Sequence, residues 1–369
     1  MILKSPSRRQ ILGGLGAAAG LGLTGLPLRP AFAQSATRSA AEALKGDGSV
    51  IVCTWGGGYS DTMQRIWFDP FAKATGIDVS TTSIPDMAKL EVMEGVGNVE
   101  WDLIDTEGVQ MQIAIQKGLL QKIDYDLVFS IVPKEQIDPK VITDYGIGSV
   151  AFSTVIAWNS DLFGKDGPQT WAEWMDTAKF KGRRALYAQP RPSFEIALMA
   201  AGVAPADIYP IKIDEAFEAL DAIRSKIDLW VQKTSQWAVL MQNGEVDLMG
   251  SSLARTLEEK KRAGKIDFTF NQSIVEQSYW TVPKSAPSAE QAQKLIAWMM
   301  QAQGMLEYAS ALPFNVANTS IYGAIPPEMQ SQLPGFPENA AKNMHIDEAW
   351  WAENTAEVQP RWLEWMSKS

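Results

Sequence analysis

The sequence predicts an α/β protein of two lobes with a cleft between them, and three observations carry that expectation. Short apolar strands alternate with amphipathic helices along most of the 369 residues, the rhythm of a largely parallel sheet. Without its leader the chain keeps about 336 residues, more than one core usually organises. Two stretches lacking a helical period, residues 146–158 and 278–283, suit passages from one lobe to the other and back.

The leader comes first. Ser7-Arg8-Arg9-Gln10-Ile11-Leu12 opens an apolar run loosened by glycines at 13, 14, 16, 20, 22 and 25, and Ala31-Phe32-Ala33 closes it. A basic front, a short weakly apolar middle and small residues before a cut describe a twin-arginine export signal rather than a membrane anchor. Cleavage is expected near Ala33-Gln34, delivering the chain to the bacterial periplasm. Residues 34–48 read as a polar linker.

A strand over 50–55 then runs into Gly56-Gly57-Gly58, and a helix over 59–73 carries Met63, Ile66, Trp67 and Phe71 on one face until Gly76 stops it. A strand over 77–84, a helix over 86–93, a strand over 101–105 and a helix over 109–117 complete the first lobe, expected to span 49–150 and to be rejoined by 281–325. The second lobe, 151–280, holds a helix start at Thr170 with Glu173 three residues on. It continues with strands over 184–188 and 246–250, helices over 193–201, 214–227 and 253–262, and a strand over 268–270. A long helix over 289–311 and a Trp-rich tail, 326–369, packed on a lobe, close the chain.

In open parallel sheets ligands sit beyond the carboxyl ends of strands, at helix starts. That rule selects the loops 55–59, 83–86, 105–107, 189–193 and 250–252.

Composition narrows the chemistry. Loss of Lys4, Arg8, Arg9 and Arg29 with the leader takes the formal charge from −10 to −14, which disfavours nucleic acid as a partner. Cys53 is the sole cysteine, so no intrachain disulfide forms, and its apolar neighbours favour a buried thiol. His345 is the sole histidine, which excludes a multi-His zinc centre and leaves a Ser-His-acid triad little to work with. The glycines at 56–58 lack the Gly-x-Gly-x-x-Gly spacing of a dinucleotide loop. No cofactor, metal or catalytic residue is assigned.

Taken in order, Val52-Cys53-Thr54-Trp55, WDLIDTEG, KGLLQKID, AWNSDLF, TWAEWMDTAKFKGRRAL, MQNGEVDLMGSS and YWTVPKSAPSAEQAQKLIAWMM resemble the extracellular solute-binding proteins of ABC importers, in their spermidine/putrescine-type branch. The resemblance covers nearly the whole mature chain. It implies a type II periplasmic-binding-protein fold whose two extended crossings form the hinge, closure on a small solute, delivery to a membrane permease, and a monomer without enzymatic activity.

Against that branch the cleft loops depart. Polyamine binders hold protonated amines with carboxylates and sandwich the chain between rings. Trp55 and Tyr59 fit an aromatic wall, with packing of Trp55 on the next helix as the lesser alternative. The second-lobe loop reads Tyr187-Ala188-Gln189-Pro190-Arg191-Pro192-Ser193, with an arginine and no acid before Glu195, and Gly250-Ser251-Ser252 stands where a tryptophan is usual. Arg191 suits a carboxylate, while Asp86, Asp105, Glu107 or Glu276 suit an ammonium. The expected ligand set is Trp55, Gly57, Tyr59, Ser83, Asp86, Asp105, Thr106, Glu107, Gln189, Arg191, Ser193, Trp237, Ser251, Ser252, Glu276, Ser278 and Tyr279. The expected solute is small, polar and amine-containing or zwitterionic, with a long polyamine demoted. An exported hydrolase or lyase working through a carboxylate pair is the alternative, and ferric-ion capture is weak because no two tyrosines are adjacent.

Overall fold

Two strands much longer than the rest dominate the architecture, and both run between the lobes. The computed structural model describes residues 39–233, 236–312 and 314–368, so the expected leader (1–33) and residues 34–38 of the linker lie outside the described residues. The strands are β1 (Ser49–Cys53), β2 (Asp78–Thr82), β3 (Leu103–Glu107), β4 (Leu120–Gln121), β5 (Ile142–Thr143), β6 (Gly146–Asn159), β7 (Arg184–Tyr187), β8 (Leu229–Val231), β9 (Leu248–Ser252), β10 (Ile266–Pro283) and β11 (Met344–His345).

They join in the order β2-β1-β3-β10-β6-β9-β7-β8. The outer pairs are parallel, as β-helix alternation requires. The centre is antiparallel, because β6 and β10 traverse the molecule in opposite directions and pair with each other, with β3 and with β9. The sheet is therefore mixed rather than largely parallel. The second crossing is also longer than the sequence suggests, since β10 absorbs both the strand expected over 268–270 and the crossing expected at 278–283. Register shifts between Thr269 and Ile274 and between Gln277 and Tyr279 interrupt its alternation.

Other elements differ in detail for local reasons. The first helix is continuous from Gly57 to Thr75 but widens over Gln64–Phe68 into a π turn. Consecutive Ile66, Trp67 and Phe68 are all buried there. The helix expected over 289–311 is two helices, Ala289–Met299 and Ala302–Ala311. Part of the expected linker is structured: residues 39–43 are helical, and Leu44 is fully buried in the first core.

Two cores result. One gathers Val52, Trp67, Phe71, Leu103, Trp280, Leu295 and their neighbours, and the other Trp171, Trp174, Phe194, Leu220 and Leu248. The tail adds a third passage between the lobes. β11 lies parallel to Ile274 and Val275 of β10, after which Asp347 caps the helix Glu348–Ser367 by accepting from Trp350 N. That helix inserts Trp351, Val358, Trp362 and Trp365 into the second core. The Trp365 indole donates to Asp221 at 2.7 Å.

Candidate functional site

A cleft of about 1510 Å³ opens between the lobes, with Trp55, Tyr59, Glu107 and Phe314 on one side, Ser252 and Arg255 on the other, and Val150, Phe152 and Ser278 of the crossing strands at its base. Its first-lobe wall begins where β1 turns into its helix. Gly56 (φ 79°, ψ 179°) and Gly57 (φ 59°) take conformations that side chains disfavour. Nothing stands within 4 Å of a Cβ placed at Gly57 or Gly58, so backbone is open to solute there. Trp55, 38% exposed, stands beside them with a hydrogen bond to Asp105 instead of packing into the core.

Beneath this wall lies Asp105, fully buried. It accepts from Tyr59 Oη and from Ser149 Oγ, each at 2.6 Å. Burial pushes its carboxyl up to about 6, against the hydrogen bonds from Ser149, Tyr59 and Trp55 that draw it down. Burial, then the Asp105 charge, holds the Tyr59 phenol well above its ordinary value. Asp105 therefore orients the wall and does not itself face the cleft.

The strongest electrostatic feature joins three residues from three elements. Arg191, held in extended backbone (φ −97°, ψ 125°) between two prolines at the start of the helix Pro190–Ala200, places Nη2 3.1 Å from Glu107 Oε2 and Nε 2.5 Å from Glu276 Oε2. The side chains are 21%, 31% and 11% exposed. Burial would lower the guanidinium, but the two glutamates raise it above its ordinary value. Burial lifts Glu276 in turn, with Arg191 opposing and Glu107 assisting. Arg191 is thus no free anion anchor; it is already shared between two acids.

Of the remaining expected residues, several leave the cleft. Trp237 is 2% exposed within a core with Val231, Met249 and Ile266. Tyr279 is buried on the opposite face of β10 from Ser278, packed with Met111 and Ile104. Thr106 and Ser251 are spent within the sheet: Thr106 Oγ1 lies 2.8 Å from Thr281 Oγ1, and Ser251 Oγ donates to Ser252 O. Ser193 Oγ donates to Tyr187 O. Asp86 caps the helix Met87–Val96, accepting from Ala88 N and Lys89 N. Ser83 is exposed beside Gly56, and Gln189 is half-buried before Pro190.

Sequence reading missed the rings of Phe152, Phe268, Phe270 and Phe314, which also line the cleft. Phe268 and Phe270 meet edge to face, 5.3 Å apart. Alternating aromatics in the segment 266–270 were the available signal. Tyr187 was also passed over, although its phenol feels Glu107, Glu276 and Arg191. Among the described residues no group of three His, Cys, Asp or Glu could hold a metal ion, and no helix is long and apolar enough to cross a membrane.

Comparison with known proteins agrees with this fold. The profile of the bacterial extracellular solute-binding proteins matches residues 67–336. A gamma-aminobutyric acid-binding protein of Pseudomonas aeruginosa is 26% identical over 89% of this chain and 94% of its own length. The crystal structure of an ABC transporter substrate-binding protein from Bradyrhizobium japonicum is similar at a TM-score of 0.80, with 31% identity over 86% of this chain and 99% of that one. A periplasmic binding protein of A. tumefaciens R10 in complex with agropinic acid is similar at 0.72, with 30% identity over 87% and 99%.

Proposed function

Because the chain belongs to the bacterial extracellular solute-binding proteins, we propose that it is the exported, periplasmic component of an ABC importer and that its cleft takes a small solute bearing both an amine and a carboxylate. The observation that carries this reading is Arg191 shared between Glu107 and Glu276. A solute carboxylate replaces one glutamate on the guanidinium, and the released glutamate receives the solute ammonium. The exchange leaves no charge unpaired. An anion without an amine strands a glutamate beside it, and a long polyamine sets an ammonium against Arg191. The relative named as a gamma-aminobutyric acid-binding protein supports the same class.

Trp55 and the cleft phenylalanines cover the apolar part of the solute. Rotation about β6, β10 and β11 closes the lobes over it, and the closed form is what a membrane permease receives. The chain works as a monomer without catalysis. The buried, hydrogen-bonded setting of Asp105 suits a structural acid better than half of a catalytic carboxylate pair.

Calorimetric titration with γ-aminobutyrate, succinate, putrescine and spermidine tests the proposal. The amine-carboxylate compound binds, and R191M weakens it by about 100-fold. Tight spermidine binding with no zwitterion binding overturns it.

A further inference from the structure

The rear of the hinge carries a contact that the cleft does not use. Glu348 begins the tail helix, which packs on the second core and along the helix Gly108–Gln116, whose Val109 joins that core, and its carboxyl lies against the start of that helix where it leaves first-lobe β3: a Cβ added to Gly108 would collide with it. It also hydrogen-bonds Tyr279, on the face of β10 that looks away from the cleft. Gly108 follows Glu107, the residue that meets Arg191 in front. One turn of chain thus touches the cleft pair on one side and the tail on the other. Beside Glu348 lies a second cavity of about 600 Å³, lined by Gln112, Gln277, Tyr279, Asn315 and His345.

We propose that Glu348 is a positioning residue for solute capture, a rear clasp whose hold on the start of the helix Gly108–Gln116 favours the open cleft. The inference rests on the hinge reading above. Cleft and clasp lie on opposite faces of the crossing strands, so a rotation that narrows the first parts the second. Closure must then break the clasp, and solute affinity is reduced by that cost.

The test needs no solute, which separates its failure from failure of the ligand proposal. Spin labels on S331C and K261C, exposed residues on opposite rims of the cleft, report the interlobe distance by pulsed electron paramagnetic resonance in the full chain. In E348A the distribution shifts to shorter distances, whereas E348Q, whose amide keeps the Tyr279 hydrogen bond, stays near the parent. Superimposable distributions for E348A and the parent overturn the proposal. So does an E348Q chain that remains folded by circular dichroism yet moves as far as E348A.

Discussion

Arg191 Nη2 lies 3.1 Å from Glu107 Oε2, so a second-lobe loop and the end of a first-lobe strand are tied by one ion pair across the cleft. Glu276, on the crossing strand, holds the same guanidinium through Nε. Removal of the arginine leaves Glu276 buried beside a second acid. R191M therefore lowers the unfolding free energy by about 2–4 kcal/mol, and R191M/E276Q recovers most of it, because the stranded charge goes with the second change. Denaturant titration of the four chains of the cycle measures the coupling. The solvated pair Arg361–Asp214, with Asp214 85% exposed, serves as the control and shows no resolvable coupling.

Buried acids set the pH dependence of stability. Burial raises Asp105 to about 6 and Glu195 and Glu348 to about 7. Hydrogen bonds from Tyr209 and Trp351 oppose the shift at Glu195, and one from Tyr279 opposes it at Glu348. The folded chain thus binds protons more tightly than the unfolded one between about pH 4 and pH 7, and stability falls as pH rises through that window. Carboxyls held low by lysines, such as Glu290 and Glu364, act in the opposite sense but are exposed and screened. Thermal melts show a drop of roughly 5–10 °C from about pH 5 to about pH 8. E195Q flattens the slope, and a melting temperature that climbs over this range contradicts the account.

The alternation of strand and helix was legible because each element carries its own period, and of the loops it selects, 55–59, 105–107 and 250–252 contribute to the cleft lining. What the sequence hid is set by distant pairing. Ser278 faces the cleft and Tyr279 faces away from it, as neighbours on a strand must, but nothing local in 272–280, where the register of β10 against β6 shifts, says which of the two faces is the cleft's. Trp55 and Trp237 look alike as tryptophans near strand ends, yet only burial separates a free ring from a core one. Arg191 was read as an anion anchor because its partners Glu107 and Glu276 lie 84 and 85 residues away and converge only in the fold. The passage of the tail along β10 was equally invisible, since two residues of β11 are too few to carry a strand signal.

The two tryptophans give opposite outcomes on truncation. W237A empties a packed core position and costs about 3–5 kcal/mol, seen as a lower denaturation midpoint. W55A removes a ring that is 38% exposed, so the midpoint moves little, by about 0.5 kcal/mol. Solute affinity responds in the reverse order: W55A weakens binding of γ-aminobutyrate, and W237A, where folded, retains it. A W55A chain with unchanged affinity would mean that this ring does not wall the cleft.

Gly108 offers the sharpest local test of the rear contact. Alanine is the better helix former by about 0.8–1 kcal/mol, and Gly108 opens the helix Gly108–Gln116 without a positive φ, so backbone preference alone predicts that G108A stabilises. The added methyl would instead strike the Glu348 carboxyl, and displacing a half-buried, hydrogen-bonded group reverses the sign, for a net loss of about 1–3 kcal/mol. Truncation at Glu348 removes the obstacle. In an E348A background the same G108A change becomes neutral or stabilising, and this reversal of sign, read from denaturation midpoints of the four chains, assigns the glycine to the clasp rather than to helix geometry.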